Sequence, residues 1–187
     1  IQELSEVAPL QVSIARTLRS ELNDDDIVIP GITNIAYWSL LTYPVIVPRT
    51  FLTTSYFATL GYAFPTALGA KVGNPQKRVV AICGDGGFMY ALPELATAVQ
   101  EGINVVALVF TDGAFGASLH DQQRRFESRV IGTRFQNPDF ASIAQAFGAC
   151  GLKLSGPEEL SQGLRTAFGE NRPAVLQVPV PTMATPF

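Results

Sequence analysis

The stretch VVAICGDGGFMYALPELATAVQEGINVVALVFTDGAFGAS, residues 79–118, contains two similar units. Each unit is a run of strand-forming apolar residues that ends in a turn with an aspartate, Asp85 in the first and Asp112 in the second. A helix-like segment over residues 92–101 separates the two runs, as expected for parallel strands joined by a crossover helix. Because the carboxyl ends of parallel strands meet at one edge of a sheet, we expect the two carboxylates to lie close together.

The rest of the sequence continues this alternation of strands and helices. Strands are predicted at residues 26–30, 78–83, 105–110, 150–154 and 174–180. Helices are predicted at residues 9–22, 35–41, 61–73, 92–101, 137–148 and 157–168. The pattern predicts an α/β fold of three layers, α/β/α, in which a mostly parallel sheet carries helices on both faces.

The connecting segments are predicted to be turns and loops. Gly-Asp-Gly at residues 84–86 is expected to form a turn, and a polar loop is expected to run to about residue 136. Asn137 is predicted to cap the next helix, with Pro138 as its first residue. The proline-rich end, VPVPTMATPF, is predicted to leave the domain as a tail.

The bulk composition indicates one globular domain over residues 1–187. The chain is 47% hydrophobic and 16% charged, which suits a substantial core. A net charge of −3 gives no basic surface for nucleic acid, and no apolar run reaches the roughly 20 residues of a membrane span. The chain begins with Ile1 rather than Met, which suggests a fragment of a longer chain, although N-terminal processing would give the same start.

The cysteine content indicates a reducing compartment. Two cysteines in a chain of this length do not form a disulfide framework, and Cys83 lies in an apolar strand pattern typical of a buried thiol. A cytoplasmic location is therefore expected.

The two aspartates and their glycines are suited to a cation and a phosphate. Two adjacent carboxylates repel each other unless a hard dication lies between them, and Mg²⁺ accepts carboxylate, phosphate and water oxygens. Gly84, Gly86 and Gly87 let the backbone approach a ligand and present N–H groups to it. These residues predict a Mg²⁺ site shared with a phosphorylated ligand, although Asp and Gly are also common in turns without any function.

This stretch resembles the diphosphate-binding domain of thiamine diphosphate (ThDP) enzymes. The signature of that family is Gly-Asp-Gly followed, after one crossover, by an Asn or Asp that completes the metal site. The resemblance implies metal ligation by Asp85, by Asp112 and by the backbone carbonyl of Ala114. Asp112 stands where asparagine is more usual in the family, which adds a negative charge to the site.

The resemblance continues upstream and downstream of this stretch. TLGYAFPTALGA places Leu60 at the bulky apolar position that holds ThDP in its bent V conformation, and Asn34 falls on a turn that similar enzymes use to contact the diphosphate. Core packing for Leu60 and an ordinary turn for Asn34 remain the alternatives. The cofactor contacts implied by the resemblance are Asn34, Leu60, Gly61, Gly84, Asp85, Gly86, Gly87, Asp112, Ala114 and Phe115.

The resemblance to the acetolactate-synthase branch implies an enzyme that decarboxylates a 2-oxo acid, joins the acyl group to an acceptor, or does both. It assigns no catalytic residue to this chain, because the family's activating glutamate belongs to a pyrimidine-binding domain. That domain is expected on a second subunit of a homodimer or tetramer, and the 187-residue chain alone is expected to be inactive.

The resemblance implies that residues 1–187 are the C-terminal fragment of a longer multidomain chain, but several alternatives remain open. The chain could be a separate diphosphate-binding subunit of a two-chain enzyme, part of an oxidative or acyl-CoA-cleaving ThDP enzyme that also binds FAD or CoA, or a non-catalytic module for a phosphorylated ligand. A nicotinamide-binding domain is disfavoured because no G-x-G-x-x-G follows the first strand.

The roles of some single residues are open as well. His120 is either a substrate-side acid or base or a solvated loop residue, and residues 122–125 are either a lid or an exposed loop. Tyr62 is either a pocket or a core residue.

Overall fold

The computed structural model describes residues 2–54 and 56–186. The strands are β1 (Ile27–Pro30), β2 (Val79–Gly84), β3 (Val106–Thr111), β4 (Cys150–Lys153) and β5 (Ala174–Pro179). The α-helices are α1 (Gln2–Val7), α2 (Pro9–Glu21), α3 (Asn34–Thr42), α4 (Ala63–Gly73), α5 (Asp85–Ala91), α6 (Glu94–Gln100), α7 (Gly116–Arg125), α8 (Phe140–Ala146) and α9 (Leu160–Gly169). A 3₁₀ helix at Pro157–Glu159 leads into α9.

The described strands form one five-stranded sheet in the order β1-β2-β3-β5-β4. All four strand pairs are parallel, which confirms the parallel α/β prediction. In the β2–β3 pair Gly84 lies opposite Phe110, so Asp85 and Asp112 follow at the same edge of the sheet. Pro30 of β1 pairs with Ile82 of β2, which brings the turn before Asn34 to that edge as well.

The sheet is covered on both faces, as the three-layer prediction requires. Alternate strand residues point to opposite sides, so that Val80 and Ile82 join one core and Ala81 and Cys83 join the other. Helices α2, α3 and α9 pack on the first side, and α4, α5, α6 and α8 on the second. Burial of apolar residues on both sides explains why the strands read as continuous apolar runs.

The Gly-Asp-Gly segment is not a turn, which corrects the prediction for residues 84–86. Gly84 is extended, and α5 begins directly at Asp85. The predicted helix over residues 92–101 is the shorter α6, which starts after Pro93. An acidic residue in the first turn is favourable for a helix, and Phe88 of α5 is fully buried, so tertiary packing outweighs the turn propensity of glycine.

The predicted polar loop after β3 contains a helix, α7. The sequence of α7 did not predict a helix, because the helix has a single buried residue, Leu119, and therefore no apolar periodicity. Asp121 and Arg125 form an ion pair of 2.9 Å across one turn of this helix. Gln122 anchors the following segment by accepting a hydrogen bond from Thr133 and donating one to the Ile131 carbonyl. His120 is therefore half-buried on a helix rather than in a loop.

The capping prediction for Asn137 is wrong by two residues. Asp139 is the N-cap of α8, and its Oδ1 accepts a hydrogen bond of 2.9 Å from the Ser142 backbone N–H. The segment Asn-Pro-Asp contains two residues of good capping chemistry, and the helix starts after the second.

Both cysteines are buried free thiols, as predicted for Cys83. Burial raises the pKa of the Cys83 thiol to about 12, so it is an unreactive core residue. Over residues 2–54 and 56–186 no helix has the length and apolar character needed to cross a membrane.

Candidate functional site

A cavity of about 230 Å³ lies at the carboxyl ends of β1, β2 and β3. This is the edge where ligands bind in open α/β sheets. The turns after all three strands contribute to its wall, together with Leu60 and two residues of the C-terminal segment. The lining residues are Ile32, Thr33, Asn34, Tyr37, Leu60, Gly84, Asp85, Gly86, Gly87, Asp112, Ala114, Phe115, Gly116, Ala117, Ser118, Met183 and Thr185.

Asp85 is a buried carboxylate held by hydrogen bonds rather than by a cationic side chain. Its residue is 2% exposed. Its Oδ2 accepts from the backbone N–H groups of Asp112 at 3.1 Å and Gly113 at 2.9 Å and from Asn137 Nδ2 at 2.6 Å. Its Oδ1 accepts one hydrogen bond, of 2.8 Å, from Gly86 N. A carboxylate oxygen offers about two acceptor sites, so Oδ2 is saturated and Oδ1 has capacity for a further ligand.

Asp112 lies beside Asp85 and is half-buried. Its Oδ1 accepts a hydrogen bond of 3.2 Å from Ala114 N. Burial, and after it the negative charge of Asp85, raise the pKa of Asp112 to about 6, while the charge of Arg134 opposes the shift. Within the described residues neither carboxylate has an ion-pair partner. A bound dication would remove the repulsion between the two groups.

This donor set fits Mg²⁺ better than a metal held by protein side chains alone. In the part of the chain that the structure describes, no group of three or more His, Cys, Asp or Glu side chains is arranged to hold a metal. Two carboxylates with space beside them suit a cation that completes its coordination with ligand phosphate oxygens, a backbone carbonyl and water.

Two glycines of the Gly-Asp-Gly-Gly segment, Gly84 and Gly86, have no room for a side chain. A Cβ on Gly86 would lie 2.5 Å from the Phe115 ring, and one on Gly84 would lie 2.9 Å from Thr33 Oγ1. A Cβ on Gly87 would instead meet Leu60 at an ordinary 3.7 Å. Glycine at residues 84 and 86 therefore lets the backbone pack closely against Thr33 and Phe115 of the cavity wall.

Nine of the ten predicted cofactor contacts line this cavity, and Gly61 does not. Gly61 lies in a neighbouring pocket of about 10 Å³, which Tyr62 and Gly87 also line. Leu60 is half-buried on the wall of the main cavity. His120 is absent from that wall, although Phe115, Gly116, Ala117 and Ser118 at the start of the same segment are part of it.

The C-terminal segment returns to the cavity instead of departing from the domain. Asn34 Nδ2 donates to the carbonyls of Met183 at 3.0 Å and Ala184 at 2.8 Å, and Trp38 Nε1 donates to the same Ala184 carbonyl at 3.3 Å. The Asn34 Oδ1 is buried and has no hydrogen-bond partner among the described residues. Because a diphosphate only accepts hydrogen bonds, Asn34 would have to release the segment before its N–H₂ could bind one.

Sequence reasoning did not assign Asn137 to the site, nor Thr33, Tyr37, Met183 and Thr185 to its wall. Asn137 lies 52 residues from Asp85 in the chain, and Met183 lies 149 residues from Asn34. The positions of Thr33 and Tyr37 in the cavity wall could have been predicted from the sequence, since both lie within one helical turn of Asn34 at the same strand end.

Comparison with known proteins identifies the family. Residues 31–178 match the family described as "Thiamine pyrophosphate enzyme, C-terminal TPP binding domain". The chain belongs to this family. The matched region includes both aspartates and every residue of the cavity wall except those of the C-terminal segment.

The curated relatives include members of the acetolactate-synthase branch. The chain is 31% identical over 178 residues to "Acetolactate synthase, catabolic" from Raoultella terrigena, an alignment that covers 95% of the chain and 32% of that protein. It is 32% identical over 175 residues to "Probable 2-ketoarginine decarboxylase AruI" from Pseudomonas aeruginosa, covering 91% of the chain and 31% of that protein. The chain therefore spans about a third of the length of these relatives.

A solved structure shows the same fold. The benzoylformate decarboxylase from Polynucleobacter necessarius superposes with a TM-score of 0.82 at 23% sequence identity, over 93% of this chain and 33% of that one. The chain therefore shares its three-layer α/β/α fold with about a third of that structure.

The raised pKa of Asp112 predicts a pH-dependent stability for the cation-free ThDP-binding domain. The ordinary pKa is 3.8, so between that value and about 6 the folded chain binds more protons than the unfolded chain. Its stability therefore falls as the pH rises through this range. At about pH 7.5 the ionised Asp112 carboxylate destabilises the folded wild type, so we expect Asp112→Asn to be more stable. Solvent partly screens the half-exposed carboxyl, which limits the expected difference to about 1 kcal/mol.

Urea unfolding in the presence of a chelator measures this difference. At about pH 3, below both pKa values, Asp112 is neutral in the folded and in the unfolded wild type, and the two proteins are expected to have equal stability. A stability difference that is the same at both pH values would show that ionisation of the buried Asp112 carboxyl is not its origin.

Proposed function

We propose that this chain is the ThDP- and Mg²⁺-binding domain of an enzyme that decarboxylates a 2-oxo acid, transfers the resulting acyl group to an acceptor, or does both. One observation carries the proposal: two carboxylates 27 residues apart meet at the ends of adjacent parallel strands, and neither has an ion-pair partner among the described residues. In a ThDP-binding family, a pair of this kind is suited to a cation that also binds diphosphate.

The chain's own residues would bind and orient the cofactor. Asp85 and Asp112, with the Ala114 carbonyl, would hold the cation. Gly84, Gly86 and Gly87 would allow the diphosphate to approach the backbone, and Leu60 would support the bent cofactor from the cavity wall. ThDP itself supplies the electron sink that decarboxylation requires.

The remaining parts of the active site are proposed to come from other domains. The chain spans about a third of its relatives' length, and we propose that a pyrimidine-binding domain of a second subunit completes the site in a homodimer or tetramer. Large apolar side chains available for such contacts are Leu40 and Leu41 of α3 and Met89 and Tyr90 of α5, with Tyr90 being 68% exposed. The two free thiols support a cytoplasmic location.

A thermal-shift experiment tests the binding half of the proposal. The 187-residue chain is heated with Mg²⁺ plus ThDP, with Mg²⁺ plus inorganic diphosphate, and with each ligand alone. A ligand at 100 times its Kd adds about 2.7 kcal/mol of stability, which corresponds to a rise in Tm of roughly 5 to 10 °C for a domain of this size. If neither mixture raises the Tm above that of the single ligands, the proposed binding role of this chain is wrong.

A turnover assay tests the reaction. The longer protein that supplies the other domains is incubated with Mg²⁺, ThDP and a series of 2-oxo acids, and release of CO₂ and formation of acyloin products are measured. We expect release of CO₂ from at least one 2-oxo acid. Binding of ThDP without any turnover would favour a non-catalytic module, and FAD or CoA bound to the purified protein would favour an oxidative or acyl-CoA-cleaving enzyme.

A further inference from the structure

Asn137 contacts the central carboxylate of the site from outside the cavity wall. Its Nδ2 donates a hydrogen bond of 2.6 Å to Asp85 Oδ2, although the two residues lie 52 positions apart. We propose that Asn137 is a positioning residue for metal binding: it holds Oδ2 of Asp85 so that Oδ1 of the same carboxylate faces the cation. This inference rests on the proposed function, because it assigns Asn137 a role toward the same Mg²⁺.

The two oxygens of Asp85 are treated differently by the protein. Oδ2 accepts from Asn137 and from two backbone N–H groups, whereas Oδ1 accepts from Gly86 N alone. With three donors around it, Oδ2 has no lone pair left for a cation, and Oδ1 does. Of the three donors to Oδ2, Asn137 is the one side chain, so it can be removed by mutation without a change in the backbone.

The orientation of the Asn137 amide follows from the same chemistry. An ionised carboxylate accepts hydrogen bonds and cannot donate them, so the N–H₂ group and not the carbonyl must face Asp85. The Oδ1 of Asn137 is then buried with no hydrogen-bond partner among the described residues. An unsatisfied buried acceptor is unfavourable, so a residue present for stability alone would be expected to pair both ends of its amide.

The residues that follow Asn137 are anchored to β5 and α5. Two residues later Asp139 caps α8, and the Phe140 backbone N–H donates 2.8 Å to Gln177 Oε1 on β5. The buried Phe140 ring packs edge to face on Phe88 of α5, with ring centroids 5.8 Å apart. Because α5 begins with Asp85, this contact couples the segment of Asn137 to the helix that carries the carboxylate.

The test compares cation affinity in matched variants of the 187-residue chain. Mn²⁺ replaces Mg²⁺ so that binding, in the presence of inorganic diphosphate, can be followed by electron paramagnetic resonance well below the Tm of every variant. Asn137→Leu keeps the approximate side-chain volume and removes the donor. We expect its Kd for Mn²⁺ to rise at least tenfold, as is typical when a hydrogen bond to a metal ligand is lost. We also expect the Mn²⁺ spectrum of the remaining complex to differ from that of wild type.

Gln136→Leu is the matched control, because residue 136 is the exposed neighbour and Gln136 is not among the hydrogen-bond donors that the described residues offer to Asp85. Its Kd is expected to equal that of wild type. Circular dichroism monitors folding, and Asn137→Ala serves in place of Asn137→Leu if the latter does not fold. A purely structural role for Asn137 predicts a lower Tm with an unchanged Kd.

The outcomes separate this inference from the proposed function. If wild type binds Mn²⁺ and Asn137→Leu binds it equally well, Asn137 does not position Asp85, while the cation site stands. If wild type and Asp85→Asn bind Mn²⁺ equally weakly, the cation site itself is wrong, and the role of Asn137 fails with it.

Discussion

Replacing Asp85 with asparagine is expected to weaken Mg²⁺-dependent binding of diphosphate or ThDP by at least about 100-fold, roughly 2.7 kcal/mol. Asparagine has nearly the shape of aspartate but carries no charge, and one of its two terminal groups is a donor. Four donors now point at the Asp85 carboxylate, so the amide cannot satisfy them all and also offer an oxygen to a cation. Isothermal titration with Mg²⁺ and inorganic diphosphate measures the change.

Asp121→Asn is the control for this experiment. Asp121 lies on α7, where its carboxylate is 47% exposed and pairs with Arg125 at 2.9 Å. Loss of an exposed pair of this kind alters stability by no more than about 1 kcal/mol and should leave the affinity for Mg²⁺ unchanged. If Asp85→Asn binds within about threefold of wild type, less than roughly 1 kcal/mol, then Asp85 is not a cation ligand.

Local patterns were enough to predict the sheet and the acidic pair. The runs that form β2 and β3 are apolar throughout because both faces of the sheet are buried, and their spacing fits one crossover. The position of Asp85 and Asp112 at one sheet edge follows from parallel pairing alone. These inferences needed no knowledge of how distant segments pack.

The rest of the site depends on contacts that no local pattern contains. Helix α7 buries one leucine, so its sequence reads as a polar loop. The α5 helix starts at Asp85 because Phe88 packs against Phe64 and Phe140, residues from two other helices. The bond from Asn137 to Asp85 and the return of the C-terminal segment to Asn34 form only when the chain has folded.

Replacing Gly151 with alanine is expected to destabilise the domain by about 3 kcal/mol, a fall in Tm of roughly 6 to 12 °C. Gly151 lies in β4, where a Cβ would be 2.0 Å from the Ala141 carbonyl oxygen and 2.8 Å from the Ala141 carbonyl carbon. These atoms belong to the backbone of α8, which cannot rotate away as a side chain could. The matched substitution Gly169→Ala, at the end of α9, meets no atom within 4 Å and should leave the Tm within about 2 °C of wild type.

The same substitution is expected to reach the functional site through α8. To relieve the contact, α8 must move away from β4, and Asn137 lies three residues before this helix. A shift of α8 would lengthen the bond of 2.6 Å from Asn137 to Asp85 and weaken Mn²⁺ binding in the folded protein. Thermal unfolding followed by circular dichroism measures the first effect, and Mn²⁺ titration well below the Tm measures the second. An unchanged Tm in Gly151→Ala would show that α8 and β4 leave room for a Cβ at residue 151, against the expected contact with the Ala141 carbonyl. A lower Tm with unchanged Mn²⁺ affinity would show that α8 moves without displacing Asn137.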